Sequence, residues 1–322
     1  MLVIDEIHSL DAYQNVLVEA LLTFHAAFGG SAVLISATLT TDARQRLADA
    51  FAKGAGWSRR TIGEAHFPLA TAIDAAGVRS TPVASERGSR RDLAVKRLDS
   101  AADAVDVLRQ AHADGLGAVW IRNTVQDALD AYRDVTAALP DATVDLFHAR
   151  FALGDRLEIE QRVLKSFGKP SEASDRRRIV IATQVVEQSL DCDWDIMISD
   201  LAPIDLLIQR AGRLHRHDHR PPRPAPVLYV VGPAPIPDAA SKWYEAAFPR
   251  AAYVYPNHGQ LWLTMKVLLD AGGLLPLRSQ NPRRLLEQVY DGSLAIPKGL
   301  ERPCHQHTSC PVPVAHDMSG NL

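Results

Sequence analysis

Short strand-like runs separated by helical stretches constrain this chain more than any other feature. Ala118–Ile121, Val144–Phe147, Ile179–Ala182, Asp195–Ser199 and Val227–Val231 are each only four or five residues long and largely apolar. The stretches between them carry helix start signals: Ser100 with Asp103 before a helix ending at Gly115, Thr124 with Asp127 before the next. Further helices read from about Asp155 to Phe167 and from Ile204 to Leu214. Strands that alternate with helices pair in parallel, because each crossover helix carries the chain back to the same edge of the sheet. The first residues repeat the pattern: strand Leu2–Ile4, helix Tyr13–Phe28 closed by Gly29-Gly30, and strand Ala32–Ile35. A helix from Asp42 to Lys53 follows, with Leu47, Ala50 and Phe51 on one face and Gly54 as its stop, and then a strand over Phe67–Ile73. Between Asp74 and Arg91 the composition turns to Gly, Ser, Pro and Arg, which marks a linker. The expectation is an α/β protein with mostly parallel sheets, divided at residues 1–80, 81–235 and 236–322, the last part small and helical around Trp243, Tyr253, Trp262 and Tyr290.

Composition narrows the setting. A chain of 322 residues with 47% hydrophobic and 23% charged residues is long enough for two domains and ordinary for a soluble globular protein. No run of eighteen apolar residues occurs, so no membrane span is expected. Three cysteines, Cys192, Cys304 and Cys310, are too few for a disulfide framework and suit a reducing, cytoplasmic compartment. The net charge is −3, so any nucleic-acid surface has to be local, and Arg210–Arg223 is the candidate stretch.

Four clusters carry possible chemistry. Asp5 and Glu6 end a hydrophobic strand, the position at which open α/β sheets place ligand groups. Two carboxylates there can divide the work, one holding Mg²⁺ through water and the other orienting an attacking water, while His8 can link this site to a second domain. Taken alone the pair reads rather as a helix N-cap with a solvated acidic turn. Ser36-Ala37-Thr38 ends the next strand and faces the same edge, although Ser and Thr there also serve as plain turn formers. Thr183, Gln184, Glu187, Gln188, Ser189 and Asp191 form a polar loop after a buried strand, suited to phosphate on one side and a nucleotide on the other, or to a simple capped surface loop. In Gln209-Arg210-Ala211-Gly212-Arg213-Leu214-His215-Arg216, Arg213 and Arg216 stand three apart and would share a helical face. Such arginines can neutralise charge on a transferred phosphoryl group; a solvated basic face is the competing reading.

The order of these clusters resembles the superfamily 2 helicases, with Asp-Glu-x-His as motif II, Ser-Ala-Thr as motif III, and the Thr183 and Gln209 clusters as motifs V and VI. Within that group, Asp5-Glu6-Ile7-His8-Ser9-Leu10-Asp11, Leu146-Phe147-His148-Ala149-Arg150-Phe151, Ala182 to Asp191 and Asp200 to His217 are similar to the CRISPR-associated helicase-nuclease of type I systems. The resemblance covers roughly residues 2 to 300. It implies RecA-like parallel sheets: a partial first RecA-like domain, a complete second one, and a small C-terminal accessory region. It also implies ATP with Mg²⁺ as cofactors. Asp5 (the Mg²⁺ ligand, through water) and Glu6 would act from the first domain, and Asp191, Gln209, Arg213 and Arg216 from the second, with His8 near the nucleotide and Ser36 and Thr38 coupling the two. Asn123, Thr124, His148, Arg150 and Thr183 would lie along single-stranded DNA. The implied activity is ATP-driven unwinding of DNA marked by a crRNA-guided surveillance complex. A non-catalytic module binding DNA or that complex, and a DExH helicase acting on RNA, remain as alternatives.

Two parts of that family pattern do not occur in these 322 residues. No G-x-x-x-x-G-K-[ST] is present, and Phe167-Gly168-Lys169-Pro170-Ser171 has proline where a backbone N–H should cradle phosphate. His217-Asp218 and His316-Asp317 spell the dipeptide of an HD nuclease domain, yet neither lies in a buried helical run. The P-loop half and the HD nuclease domain are therefore expected from elsewhere. Cys304, His305, His307, Cys310 and His316 suit zinc by type but match no common zinc spacing, and read as a tail. Trp243, Tyr253 and Trp262 read as core rather than as base-stacking residues.

Overall fold

The apolar runs do pair in parallel, and they form two separate layers. The computed structural model describes residues 1–7, 12–36, 39–63, 68–83, 92–187, 190–217, 220, 223–277 and 281–301. In the first block β1 (Leu2–Ile4) pairs in parallel with β2 (Ala32–Leu34), and α1 (Ala12–Ala27) connects them. α2 (Thr41–Gly54) starts at Thr40, whose side chain accepts the Ala43 N–H. The helix packs against α1, and the Thr23 hydroxyl of α1 donates to the Ala50 carbonyl of α2 at 3.0 Å. A Cβ at Gly54 would collide with the Thr23 carbonyl, so a glycine there permits the close crossing. The core of this block is small, built on Ile7, Leu22 and Leu47.

β1 is not the buried strand that its sequence suggests. Val3 is 52% exposed and Val33 on its partner 44%, because the core lies on one face of the pair only. The stretch after Asp74 departs from a linker as well. β3 (Leu69–Asp74) and β4 (Gly77–Pro82) form an antiparallel hairpin, whose turn is held by Asp74 Oδ1 accepting the N–H groups of Ala76 and Gly77 at 2.9 and 3.0 Å. Its polar, Gly- and Pro-bounded sequence suits a two-stranded ribbon with little to bury.

The second block is a seven-stranded sheet in the order β11-β5-β10-β9-β6-β8-β7, comprising β5 (Asp92–Leu98), β6 (Ala118–Ile121), β7 (Val144–Phe147), β8 (Ile179–Ala182), β9 (Ile196–Asp200), β10 (Val227–Val231) and β11 (Leu274–Pro276). All neighbours run parallel except the β11–β5 pair. Every residue of β6 and β8 is buried, as expected of central strands covered on both faces. The helices are α3 (Ala101–Ala113), α4 (Val125–Ala138), α5 (Leu153–Phe167), α6 (Ile204–Ala211), α7 (His258–Asp270) and α8 (Asn281–Tyr290). Ser100 and Asp103 form the anticipated capping box at α3, and Thr124 caps α4 through the Asp127 N–H.

The sequence reading did not find β5 or β11. Lys96 and Arg97 break the apolar alternation of β5, and β11 is three residues beside a Gly-Gly turn. Together they change the picture of the last part. β11 extends the sheet beside β5, and Trp243, Tyr244, Leu261 and Leu268 join the same core as β6 and β8. Trp243 and Trp262 are core residues whose indole N–H groups donate to the Ala234 and Ile236 carbonyls, whereas Tyr253 is 83% exposed. Among the described residues no helix is long and apolar enough to cross a membrane. Residues 302–322, with the Cys304 to His316 cluster, lie outside the described residues.

Candidate nucleotide and nucleic-acid site

Because β6, β8 and β7 are parallel neighbours, the residues that follow them emerge at one edge of the sheet. That edge collects Asn123 and Thr124 after β6, His148 and Arg150 after β7, and Thr183 after β8. Their side chains differ in what they leave available. Asn123 is buried, and its amide hydrogens go to the Leu201 carbonyl at 2.8 Å and the Tyr244 hydroxyl at 3.0 Å, while its Oδ1 has no hydrogen-bond partner. The Thr124 hydroxyl accepts the Asp127 N–H and donates to Asp127 Oδ2 at 2.6 Å. Thr183 is buried, and its N–H donates to the Phe147 carbonyl. His148 stacks on Phe151 with centroids 4.2 Å apart, and its Nδ1 accepts the Arg150 N–H at 3.2 Å. Burial, and more weakly the Arg150 charge, lower the His148 pKa against a backbone hydrogen bond that raises it. The ring is therefore neutral near pH 7, with its proton on Nε2 as a donor. Arg150 is the exposed cation of this edge.

The loop bearing Asn123 is held by Trp120, Arg122 and Asp200, to which the sequence reading gave no role, and by Gln184. Asp200 at the end of β9 is fully buried and accepts from Trp120 Nε1 at 3.2 Å, Arg122 Nε at 2.8 Å and the Asn123 N–H at 3.2 Å. The Arg122 guanidinium also lies over the Trp120 ring, 4.5 Å from its centroid. Gln184 donates to the Asn123 carbonyl at 3.0 Å and the Tyr255 hydroxyl at 3.2 Å. The pairing of Asp200 with Arg122 spans 78 positions and leaves no local sequence signal.

The arginine segment is not one helical face. α6 stops at Ala211, Gly212 caps it, and His215 turns into the left-handed region with φ +51°. Leu214 forms an isolated bridge with Trp194, and the His215 N–H donates to the Trp194 carbonyl at 2.9 Å, so the segment leaves the helix at this point. Arg213 consequently points inward, donating to the Leu190 and Glu187 carbonyls, while Arg216 points out and pairs with Asp191 at 2.7 Å. Asp191 also meets His217 Nε2 at 3.3 Å. Partial burial pushes the Asp191 carboxyl up, but the His217 and Arg216 contacts outweigh it and hold the group below its ordinary range. Gln209 lies half-buried near the end of α6.

Among the described residues of 210–223, most of the arginines turn inward rather than forming a basic contact surface. Arg210 is fully buried, pairing with Glu187 at 2.7 Å and donating to Ser199 Oγ at 2.6 Å. Arg220 and Arg223 pair with Asp193 at 3.2 and 2.9 Å, and Arg223 and Arg176 pair with Asp195 at 2.6 and 2.7 Å. Arg220 also donates to the carbonyls of Gly168 and Ser171, binding the segment that imitates a phosphate loop into the fold. Arg210, Arg213, Arg220 and Arg223 thus close the domain from within, and Arg216 is the arginine of the run that points outward.

In the first block Asp5 and Glu6 are exposed at the end of β1. Glu6 has φ +53°, and its N–H donates to Asp5 Oδ1 at 2.8 Å. Among the described residues Glu6 and His215 are the two non-glycine residues in the left-handed region, and one stands in each half of the candidate nucleotide site. Such conformations cost of order 1–3 kcal/mol and persist where the surroundings impose them. Ile35 N–H donates to the Ile4 carbonyl at 2.9 Å, which places Ser36 at the same edge as Asp5. His8, Thr38, Gln188 and Ser189 lie outside the described residues. An exposed Asp5 carboxylate with one oxygen engaged suits a magnesium ion bound through water. Among the described residues no group of three or more His, Cys, Asp or Glu side chains is gathered as a directly bound metal would need.

A mostly parallel sheet whose strand ends carry these polar loops places the chain in the RecA-like class of helicase domains. Residues 114–219 match the family model described as CRISPR-associated nuclease/helicase Cas3, C-terminal. The CRISPR-associated endonuclease/helicase Cas3 of Escherichia coli K12 is 34% identical over 301 residues, covering 90% of this chain and 32% of the relative. A T. fusca Cas3-AMPPNP crystal structure aligns with TM-score 0.80 at 31% identity, over 90% of this chain and 35% of that one. A chain of a CRISPR RNA-guided surveillance complex in a pre-nicking state aligns with TM-score 0.76 at 32% identity, over 90% of this chain and 37% of that one. The chain belongs to the Cas3 helicase-nuclease family and spans about a third of the length of the relatives it matches.

Proposed function

We propose that this chain is a motor portion of an ATP-dependent superfamily 2 DNA helicase of type I CRISPR interference, working with a P-loop half and an HD nuclease domain supplied by a further segment or a separate chain. The observation that carries this reading is the shared edge of β6, β8 and β7, where a neutral imidazole donor, an exposed arginine and helix α4 starting at Thr124 line up across neighbouring strands. Donors of this kind grip phosphates without reading bases, as a translocase on single-stranded DNA requires. Asn123 fixes the loop from behind.

In the nucleotide site Asp5 would hold Mg²⁺ through water, supplying charge that offsets the negative phosphates. Glu6 orients the attacking water and accepts its proton. Arg216, held by Asp191, reaches the phosphates from the second block, and Arg213 fixes the backbone of the 187–190 loop behind it. Ser36 and Thr38 couple the two halves. A surveillance complex that exposes single-stranded DNA would supply the substrate, as the relative in such a complex suggests.

The P-loop half has a surface on which to sit. One face of α1 presents Tyr13, Leu17, Leu21 and Phe24 to solvent, with Phe28 just past its end, and Val3 and Val33 are exposed on the sheet face away from the small core. A two-stranded parallel sheet is not self-sufficient, so further strands and helices are expected to cover these residues. DNA-stimulated ATP hydrolysis, measured after adding the P-loop half, tests the reading: Glu6→Gln should abolish it. Equal rates in the two proteins, or stimulation by RNA and not by DNA, would defeat it.

A further inference from the structure

Helix α8 packs against both blocks. Leu285, Leu286 and Val289 are buried in the core of the second block. Arg283 and Glu287, one turn apart on the helix, meet Thr41 at the start of α2. Glu287 Oε1 accepts the Thr41 N–H at 2.8 Å and the Thr41 hydroxyl at 2.7 Å. Arg283 Nη2 donates to the same hydroxyl oxygen at 2.9 Å, and its Nε lies 3.5 Å from Glu287 Oε1. Arg283 is 7% exposed, so this contact is largely shielded from water. Three residues after Glu287, the Tyr290 hydroxyl donates to Asp205 Oδ1 at 2.5 Å, in the first turn of α6. Burial, reinforced by Asp205, raises the Tyr290 pKa, so the phenol keeps its proton as a donor.

The two helix starts joined in this way carry the two halves of the candidate nucleotide site. α2 begins five residues after Ser36, which stands beside Asp5 at the edge of the β1–β2 pair. α6 leads directly into Arg213 and Arg216. The cores of the blocks are distinct, so hydrogen bonds at Thr41 carry relative position in a way that apolar packing does not. A carboxylate at a helix start is also favoured by the dipole of α2.

We propose that the last two turns of α8 form a clasp between the blocks, with Glu287 and Tyr290 as positioning residues that fix the start of α2 beside the start of α6 and so set the carboxylates of one block against the arginines of the other. The functional consequence rests on the ATP-site reading above. The clasp itself does not.

Hydrogen exchange on this chain alone tests the clasp. Glu287→Ala should speed exchange of the Thr41 to Ala43 amides by about tenfold or more, the loss expected for a part-buried charged hydrogen bond. The diagnostic result is at the far end: the same substitution should also speed the Leu207 and Ile208 amides of α6, and Tyr290→Phe should speed Thr41. Glu287→Gln keeps an accepting oxygen but not the charge, and should speed exchange less than Glu287→Ala does. Amides of β6 serve as the folding reference; where a variant loses protection there, Thr41→Val, which removes the shared hydroxyl at almost constant shape, replaces it. Effects confined to the substituted end would overturn the clasp, as would no change at all. With the P-loop half added, Glu287→Ala should lower DNA-stimulated kcat about tenfold through misplacement of the reacting groups, leaving KM for ATP within about twofold. A wild-type protein without stimulated turnover would sink the ATP-site reading, while the exchange measurement would still decide the clasp.

Discussion

Asp200 offers the most direct test of how this domain holds its working edge. Its carboxylate is fully buried and accepts three hydrogen bonds, from Trp120, Arg122 and the backbone of Asn123. Asp200→Ala would leave the Arg122 guanidinium, whose side chain is only 10% exposed, with no carboxylate beside it. Breaking one side of a buried pair costs about 3–5 kcal/mol, more than the Coulomb attraction alone, because the remaining charge stays desolvated. Asp200→Asn keeps the shape and one acceptor oxygen but turns an NH₂ toward a donor, for a cost of about 2–3 kcal/mol. A domain of this size has a urea m-value of roughly 2–3 kcal/mol/M, so the alanine variant should lower the unfolding midpoint by about 1–2 M.

Two controls give this number meaning. Removing both partners should cost less than the sum of the single changes by about 2 kcal/mol, since the double variant buries no lone charge. Any folded fraction of Asp200→Asn should bind single-stranded DNA less tightly than wild type, because Asn123 and the start of α4 are set by the same carboxylate. A midpoint shift below about 0.3 M for Asp200→Ala, or strictly additive single changes, would refute the claim that this ion pair is desolvated and structural.

Other consequences follow from the same geometry. Gly117 faces the Phe167 ring, and a Cβ there would lie 2.7 Å from the Arg176 carbonyl oxygen, so Gly117→Ala should destabilise the domain by about 2–4 kcal/mol in urea titration; a neutral result would mean that the turn after α5 around Arg176 yields freely. Burial pushes the Asp195 carboxyl up, but Arg176, Arg223 and the Gly117 N–H hold it below its ordinary value of 3.8. The folded state thus binds fewer protons than the unfolded chain in acid, so the stabilisation is present above about pH 4 and lost as pH falls through the folded pKa. Asp195→Asn should flatten that acid limb of the stability curve. His148 has a lowered pKa, so stability should also decline as pH falls below about 6.5, and His148→Gln should remove this decline. Burial raises the Cys192 thiol to about 12, so in a Cys304→Ser/Cys310→Ser background alkylation should report global unfolding and nothing earlier.

Much of this was legible in the sequence because the signals were local. The buried runs of β6 and β8 and the caps at Ser100 and Thr124 each depend on a few neighbouring residues, and the structure forms them where the pattern placed them. β5 and β11 were not legible, because their burial comes from pairing with distant partners rather than from an apolar alternation of their own. The arginine segment failed for a related reason. A spacing of three gives a shared face only while the helix continues, and α6 ends before Arg213 is reached. What ends it is tertiary: the Trp194 N–H donates to the Arg213 carbonyl and the His215 N–H to the Trp194 carbonyl, so the chain gives up helical bonds for those of an isolated bridge.

That exchange decides which arginine can act. If the helix had run on, Arg213 and Arg216 would present two charges to the same ligand. The left-handed turn at His215 divides them instead, sending Arg213 to the carbonyls of Glu187 and Leu190 and Arg216 toward Asp191 and solvent. Arg213→Lys should then disturb the loop, since one ammonium cannot reproduce the planar fork that spans the Leu190 and Glu187 carbonyls. Arg216→Lys should instead keep the fold and, on the proposed ATP-site reading, weaken only a contact with phosphate. Stability measured against ATP turnover in the assembled protein separates the two: loss of stability in both variants, or in neither, would mean that the turn at His215 does not divide their roles.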